Sequence, residues 1–310
     1  MNHKVLAVIA LFLPIIGFCQ QTERDTIRLF YLGGQSNMDG FGLNSELPDS
    51  VISNLKNVWI FHGNPAPDED ANGGLGIWTE LQEGHGWEFS TDGKVNKLSD
   101  YFGIELSFAK RLKEYYLNEK IAIIKYSRGG TSIDSVAAGR YGSWEPDYKG
   151  TNGINQYDHF LKTVNKAMSV KDIDNNGIED YLIPSGIIWM QGESDAYREE
   201  VALRYYGNLK RLMDLIRAAL HRDDLPIVIG KISDSGNTKS GKTYRYGELV
   251  QYAQEKYART EQNVTIVRST QRYNYYDSWH YDSNSYIDLG QKFAEAIYNL
   301  NQKNSHFMKN

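Results

Sequence analysis

Four short segments of the sequence carry the side chains that could do chemistry. They read GGQSNM (residues 33–38), YSRGGTSI (126–133), WMQGESDA (189–196) and DSWH (277–280). Together they supply a hydroxyl, an imidazole, carboxylates and glycine amides, which are the groups needed for acyl transfer. In that chemistry a serine attacks, a histidine takes its proton, a carboxylate orients the histidine ring, and N–H groups hold the oxyanion.

Each segment also has a structural interpretation. A serine that follows a strand often caps the turn into a helix, and a lone Asp-x-x-His is far more often structural than catalytic. The paired glycines Gly129 and Gly130 could simply form a turn. The occurrence of all four segments in one chain favours the chemical interpretation.

Helices and strands predicted from the hydrophobic pattern alternate along the chain. The apolar stretch 27–32 predicts a first strand, and further strands are predicted to begin at residues 57, 121, 185, 225 and 264. Amphipathic helices are predicted to begin at residues 103, 154, 198, 246 and 286. This alternation predicts an α/β fold with a parallel sheet covered on both faces. Since three of the four segments follow strands, we expect them to meet at one edge of the sheet.

The four segments, in this order, resemble those of the SGNH (GDSL-like) hydrolase superfamily. They are most similar to its sialate O-acetylesterase and acetylxylan esterase branch, carbohydrate esterase family six, and the similarity extends over residues 27 to about 300. The resemblance implies a flavodoxin-like three-layer α/β/α sandwich with a central parallel sheet. It also implies an esterase that removes O-acetyl groups from carbohydrates, such as acetylated xylan or sialic acid, through an acyl-enzyme.

The resemblance assigns the catalytic roles to individual residues. It implies Ser36 as the nucleophile, His280 as the general base and Asp277 as the carboxylate that orients the histidine. Glu193 is the alternative acid, because it also follows a predicted strand and could meet the imidazole.

The resemblance also implies the donors for the oxyanion. These are the Ser36 amide, the amide of Gly129 or Gly130, and the side-chain amide of Gln191. Gln191 stands where the wider superfamily has the asparagine that gives it part of its name.

Two other functions compete with a carbohydrate acetylesterase. One is a noncatalytic sugar-binding module of the same fold, which would have little reason to keep Ser36, Asp277 and His280. The other is a lipase or thioesterase of the same superfamily, which would need a long apolar groove. The segment 64–87 is rich in Gly, Asp and Trp and does not suggest such a groove.

Residues 65–99 show little periodicity and are predicted to form a long loop over one end of the sheet. Trp78 and Trp87 lie in this loop, and we expect one of them to stack on the sugar of the substrate. The alternative is that either tryptophan packs the loop down.

The stretch DIDNNGIED, from Asp172, resembles part of a calcium-binding loop. Asp172, Asp174, Asn176 and Asp180 occupy positions one, three, five and nine of such a loop. Position twelve is Ile183 instead of glutamate, so the pattern is not a complete EF-hand, and a solvated acidic turn is the alternative. A calcium ion here would be structural, and catalysis is expected to need no cofactor.

The N-terminus predicts export. Lys4 precedes the apolar run 5–18, and Gly17 and Cys19 provide small residues for cleavage, so residues 1–19 are predicted to be a signal peptide. A periplasmic or extracellular location and one domain over residues 20–310 follow. Lipidation of Cys19 is the less favoured alternative, because bulky Phe18 precedes it.

The overall charge excludes one class of partner. The chain of 310 residues has 34 Lys and Arg, 39 Asp and Glu, and a net charge of -5 without a basic stripe. We therefore expect no nucleic-acid partner. The apolar run 5–18 is shorter than the ~20 residues of a membrane span, so stable membrane insertion is not expected. The expected partner is an acetylated carbohydrate substrate.

Overall fold

The computed structural model describes residues 24–307 apart from residues 54, 151, 152 and 240. The predicted signal peptide, with Cys19, lies outside the described residues. The strands are β1 (Asp25–Gly34), β2 (Gly42–Leu43), β3 (Val58–His62), β4 (Trp78–Glu80), β5 (Ser90–Thr91), β6 (Asn96–Lys97), β7 (Tyr101–Phe102), β8 (Lys120–Ser127), β9 (Asp180–Met190), β10 (Ile227–Gly230) and β11 (Val264–Val267). The helices are α1 (Ser36–Asp39), α2 (Asp49–Ile52), α3 (Glu105–Tyr115), α4 (Gln156–Ser169), α5 (Glu199–Ala219), α6 (Gly247–Thr260) and α7 (Ser283–Phe307).

The central sheet has seven strands in the order β11-β10-β9-β1-β8-β3-β4. β1 lies in the middle and pairs in parallel with both β8 and β9. The run β8-β1-β9-β10-β11 has the 2-1-3-4-5 order of flavodoxin-like folds. The expected α/β fold is therefore confirmed, with a central sheet that is mostly parallel.

One edge of the sheet departs from the expected parallel arrangement. β4 pairs antiparallel with β3, and the segment 65–99 contains β4, β5 and β6 instead of being a loop throughout. These strands have only two or three residues, too few to produce a hydrophobic alternation in the sequence.

Consecutive side chains of β1 show how the sheet is covered on both faces. Phe30 packs edge-on against Phe108 of α3, with ring centroids 5.5 Å apart, while Tyr31 packs against Phe160 of α4 at 4.9 Å. Because side chains alternate between the two faces of a strand, α3 and α4 lie on opposite faces. α7 packs with α3, and α5 packs with α6. Every helix within the described residues is too short or too polar to cross a membrane.

The close approach of β1 to β9 decides where the chain leaves the sheet. Gly34 has φ +147°, and a Cβ atom on it would lie 1.9 Å from the Met190 carbonyl oxygen. The position therefore requires glycine, and the chain turns directly into α1 after it.

A buried ion pair joins β8 to this turn. Lys125 and Glu105 are both fully buried, and Nζ of the lysine lies 2.8 Å from Oε2 of the glutamate. Lys125 Nζ also donates to the carbonyl oxygens of Asp39 (2.9 Å) and His85 (2.7 Å). Glu105 Oε1 accepts the Gly103 amide at 2.8 Å. The ammonium group thus holds two parts of the chain against β8: the end of α1, at Asp39, and His85, which lies two residues before Trp87.

Replacing Lys125 by methionine should lower the free energy of unfolding by about 3–5 kcal/mol, because Glu105 would stay buried without its counter-charge. Adding Glu105→Gln to this variant should recover part of the loss, since both charges are then absent. Denaturant titration measures both values. A single variant as stable as the unmodified protein would contradict this account of the ion pair.

Candidate active site

A cleft of about 470 Å³ opens at the carboxyl edge of the sheet. Its volume is in the range of small-molecule sites. Ser36, Gly129, Gly130, Glu193 and His280 all line it. The structure thus brings residues from all four sequence segments to one place.

The turn that carries Ser36 is tied to two of the other segments by its neighbour Asn37. Ser36 is the first residue of α1 and is 7% exposed. Asn37 Nδ2 donates to Glu193 Oε1 (2.8 Å) and to the Trp279 carbonyl (3.1 Å), and its Oδ1 accepts the Tyr286 hydroxyl (2.8 Å). Sequence reasoning gave Asn37 no role, although it lies within the GGQSNM segment.

His280 is paired with Asp277. Nδ1 of the imidazole lies 2.7 Å from Asp277 Oδ2, and Asp277 Oδ1 accepts the amides of Trp279 and His280, each at 2.7 Å. Burial raises the pKa of Asp277, but these hydrogen bonds outweigh it and lower the pKa below its ordinary value. An ionised carboxylate only accepts, so the neutral imidazole in this position is the tautomer with its proton on Nδ1 and the lone pair on Nε2.

A stack of rings fixes the plane of this imidazole. The Phe41 ring lies against His280 at 3.7 Å between centroids and 8° between planes, and it stacks on Trp87 at 4.9 Å and 16°. Trp87 lines the cleft and is 37% exposed. Stacking of Trp87 on a sugar stays a prediction, and the structure adds that this indole also supports the histidine.

Trp78, the other predicted stacking residue, does not line the cleft. It lies on β4, where its Nε1 donates to the Ala167 carbonyl (2.9 Å) and its ring packs against Phe61. Trp78 therefore corresponds to the alternative interpretation, in which the tryptophan packs its segment down, here at the edge of the sheet over α4.

Glu193 does not meet the imidazole in the structure. Its Oε1 is bonded to Asn37, and its Oε2 is buried without a hydrogen-bond partner. Burial raises the pKa of Glu193, and the hydrogen bond from Asn37 offsets this only in part. Of the two candidate acids, Asp277 therefore holds His280, while Glu193 holds the Ser36 turn.

Gln191 is not placed to hold an oxyanion, so this expectation is wrong. The residue is fully buried and does not line the cleft. Its Nε2 donates to Asp195 Oδ2 (2.6 Å) and to the Thr131 carbonyl (3.1 Å). Burial raises the pKa of Asp195 to about 7 despite the Gln191 hydrogen bond. Gln191 thus donates a hydrogen bond to the buried carboxyl group of Asp195. Asp195 was given no role in the sequence analysis.

Gln35 lines the cleft where Gln191 was expected. Its Oε1 accepts the amides of Gly192 (3.3 Å) and Ser194 (3.2 Å). Its Nε2 makes no hydrogen bond to any residue that the structure describes. This fixed amide directly precedes Ser36. Its position within GGQSNM could have indicated a role for Gln35 in the site.

The two glycines of the second segment differ. The Gly129 amide donates to Asp39 Oδ2 at 2.6 Å, so it is already used. Asp39 lines the cleft, and burial raises its pKa. Gly130 has φ +72° and also lines the cleft, and no acceptor for its amide is found among residues 24–307 as described. Of the two glycines expected to donate to the oxyanion, Gly130 is therefore the candidate that remains.

Two arginines, Arg128 and Arg140, also line the cleft, and neither of them was given a role in the sequence analysis. The guanidinium carbons of Arg128 and Arg140 lie 4.5 and 4.6 Å from the centre of the Tyr141 ring. Arg128 Nε is buried without a hydrogen-bond partner. Neither arginine forms an ion pair with a carboxylate in the described part of the chain. Arg128 lies inside the YSRGGTSI segment, but nothing in the sequence marked Arg140.

Trp279 and Tyr197 complete the exposed rim. Both line the cleft, with 48% and 47% of their surface exposed, and Trp279 Nε1 donates to the Tyr197 hydroxyl at 3.2 Å. Trp279 belongs to the DSWH segment, so its position next to His280 in the sequence could have predicted that it lies at the cleft.

Three of the four predicted calcium ligands lie around Asp25. Asp174 and Asp180 group with Asp25, with ligand oxygens all within 4.8 Å of one another, and Asn176 Nδ2 donates to Asp25 Oδ2 (2.9 Å) and Asp174 Oδ2 (3.2 Å). This grouping follows from the β1–β9 register, which places Asp25 opposite Asp180.

A lysine already neutralises part of this group. Lys120 Nζ lies 2.6 Å from Asp174 Oδ2 and also pairs with Asp25. The Asp172 carboxylate accepts backbone amides of its own loop, including that of Gly177 (2.8 Å). Calcium binding by this loop stays a prediction of the sequence.

Known structures share the fold of this chain. A protein from Arabidopsis thaliana has a TM-score of 0.60 at 22% identity and covers 88% of this chain and 98% of that chain. A carbohydrate acetylesterase from Xanthomonas citri has a TM-score of 0.60 at 18% identity, over 89% of this chain and 56% of that chain. NanS has a TM-score of 0.57 at 16% identity, over 90% and 99%. No curated protein sequence matches the chain.

A family model gives the assignment that the fold alone does not. The model describes a carbohydrate esterase, a sialic acid-specific acetylesterase, and it matches residues 26–299. This range includes all four segments that line or support the cleft. The chain therefore belongs to the family of sialic acid-specific carbohydrate acetylesterases and is a carboxylic ester hydrolase.

Proposed function

We propose that this protein removes O-acetyl groups from carbohydrates through an acyl-enzyme formed on Ser36. One observation carries the proposal: His280 lies on the same cleft as Ser36 and is held at 2.7 Å by Asp277. The hydrogen bond from Asn37 to the Trp279 carbonyl holds these two parts of the cleft together. This is the arrangement of a serine, a base and an orienting acid.

In the proposed reaction Ser36 Oγ attacks the carbonyl carbon of the acetyl group, and His280 Nε2 takes the hydroxyl proton. The tetrahedral intermediate collapses as the bond to the sugar oxygen breaks, and His280 returns the proton to that oxygen. Water then attacks the acetylated serine with the same base, which releases acetate and restores Ser36. Asp277 stabilises the imidazolium that forms in both steps.

For the oxyanion we propose the amides of Ser36 and Gly130 and the side-chain NH₂ of Gln35. All three residues line the cleft. The side-chain oxygen of Gln35, Oε1, accepts two backbone amides, and these hydrogen bonds keep the side chain in one orientation. Donors that are fixed before the reaction stabilise the developing charge without reorganising.

The two arginines of the cleft favour an acidic sugar among the expected substrates. Arg128 and Arg140 line the cleft and form no ion pair within the described residues, although the charge of Arg128 acts on buried Asp39 of the same cleft. A sialic acid carries a carboxylate that would pair with these guanidinium groups. Acetylated xylan has no such group on its xylose units. The exposed rings of Trp87 and Trp279 would contact the apolar face of the sugar. A long apolar groove, as a lipase needs, is not what these residues form.

We also propose that the protein is exported to the periplasm or the extracellular space. The signal peptide predicted over residues 1–19 supports this location, with lipidation of Cys19 as the second alternative.

Ser36→Ala should abolish acetate release from O-acetylated sialic acid while leaving the melting temperature nearly unchanged, because a single hydroxyl contributes little to stability. The assay is enzymatic detection of acetate, with p-nitrophenyl acetate as a second substrate. Activity within twofold of the unmodified protein would disprove the role of Ser36 as nucleophile.

Asp277→Asn should lower kcat by roughly four powers of ten with little change in KM, because the amide stabilises the wrong tautomer of His280. Glu193→Gln should cost much less, since its side-chain oxygen can still accept from Asn37. Steady-state kinetics on p-nitrophenyl acetate measures both. A greater loss for Glu193→Gln, with both variants folded, would show that Glu193 is the orienting acid.

Arg128→Gln should raise KM for O-acetylated sialic acid about tenfold or more, because a charge-assisted hydrogen bond is lost. KM for a neutral acetylated xylo-oligosaccharide should change far less. The matched control is Arg111→Gln, since Arg111 also lies over a tyrosine ring, at 4.8 Å, but on α3 away from the cleft. Equal changes in KM for the acidic and neutral substrates would contradict an acidic substrate.

A further inference from the structure

We propose that a second cavity, next to the active-site cleft, binds a neutral sugar unit linked to the acetylated sugar. The inference rests on the proposed acetylesterase function and deepens it: the substrate is an acetylated acidic sugar within a larger glycan. The second cavity has a volume of about 480 Å³, close to that of the cleft. None of the four sequence segments contributes a residue to its lining.

The two cavities share a wall. Phe41 lines both of them, and its ring is the one that stacks on His280. A glycan whose acetylated unit lies beside His280 therefore has its neighbouring unit within reach of the second cavity. This continuity distinguishes the cavity from an isolated surface depression.

One loop contributes to both cavities. Residues 275–282 provide Asp277 and His280 to the catalytic arrangement, and Tyr276 and Asp282 to the second cavity. The loop is held by a hydrogen bond from the Tyr276 amide to the His280 carbonyl (2.8 Å) and by a bridge between Tyr275 and residue 281. The second cavity is therefore positioned by the same backbone as the catalytic pair.

Tyr276 has the features of a platform for a sugar ring. It is 70% exposed, and in the described structure its hydroxyl makes no hydrogen bond. Tyr275, by contrast, has its hydroxyl 2.6 Å from Ser233 Oγ and is built into the loop. An exposed ring on a fixed backbone offers apolar area at low conformational cost, which suits the flat face of a sugar.

Two carboxylates give the second cavity its specificity. Glu46 uses Oε2 to accept the Ser283 hydroxyl (2.5 Å), and Asp282 uses Oδ1 to accept the Ser285 amide (2.8 Å). Within the described residues, the second oxygen of each carboxylate has no hydrogen-bond donor. Carboxylate oxygens accept hydrogen bonds from sugar hydroxyls, and no lysine or arginine lines this cavity to attract an anion. The cavity therefore suits a neutral sugar, in contrast to the cleft with its two arginines.

The test compares a linked substrate with a free one. Tyr276→Ala should raise KM about tenfold for O-acetylated sialyllactose, in which a neutral disaccharide follows the acidic sugar, because a stacking surface is lost. KM for free O-acetylated sialic acid should change by less than about twofold. Tyr276→Trp, which keeps an aromatic face, should stay close to the unmodified protein. The matched control is Tyr252→Ala, because Tyr252 is 64% exposed but lies on α6.

Two results would overturn the proposal. One is an equal change in KM for the linked and free substrates, and the other is no change for either. If the unmodified protein releases no acetate from any substrate, the proposed function fails, and calorimetric titration with unacetylated sialyllactose and sialic acid then decides the second cavity alone. Tighter binding of sialyllactose that Tyr276→Ala removes would support the cavity, and equal binding of the two ligands would refute it.

Discussion

The active site depends on a single buried charge, the ammonium group of Lys125. The helix that begins with Ser36 has only four residues, far too few to be stable by itself. Lys125 binds the carbonyl at its end, and the same ammonium binds the carbonyl of His85, just before Trp87. Glu105 supplies the counter-charge that makes this lysine tolerable in the core. One residue of the central sheet thus helps to hold both the helix that begins with Ser36 and the segment that carries the stacking ring.

Three carboxyl groups near the Ser36 turn have pKa values shifted in different directions because they differ in burial and in hydrogen-bond donors. Burial raises the pKa values of Asp39 and Glu193, which have few donors. Asp277 is less buried and accepts three N–H groups, so its pKa is lowered. Only a carboxylate that stays ionised can stabilise a histidine that gains a proton, and Asp277 is the one in contact with it.

The cleft and the second cavity differ in their charged groups although one loop contributes to both. The cleft has Arg128 and Arg140 beside the buried carboxyl groups of Asp39 and Glu193, whereas the second cavity has Glu46 and Asp282 and, among the described residues, no lysine or arginine. A polymer of only acidic sugars or only neutral sugars would be complementary to the cleft or to the second cavity, but not to both. An acidic sugar followed by a neutral one matches both, because each unit then meets its own complementary groups. In this interpretation Phe41 separates two environments while it supports the base between them.

The sequence by itself determined the α/β fold, the order of the main strands along the chain and the meeting of three segments at one edge of the sheet, because these follow from local periodicity and from the edge shared by parallel strands. The DSWH segment follows no strand, and only the family resemblance assigned it to the same site. The sequence could not determine which amide or carboxyl group faces the cleft. Gln191 and Gln35 both follow strands, yet Gln191 is drawn inward by buried Asp195, and Gln35 is left at the surface of the cleft. Trp78 and Trp87 likewise share one segment, but β4 forms only by pairing with β3. Side-chain direction and edge pairing depend on contacts between residues distant in the chain, so only the tertiary structure decided them.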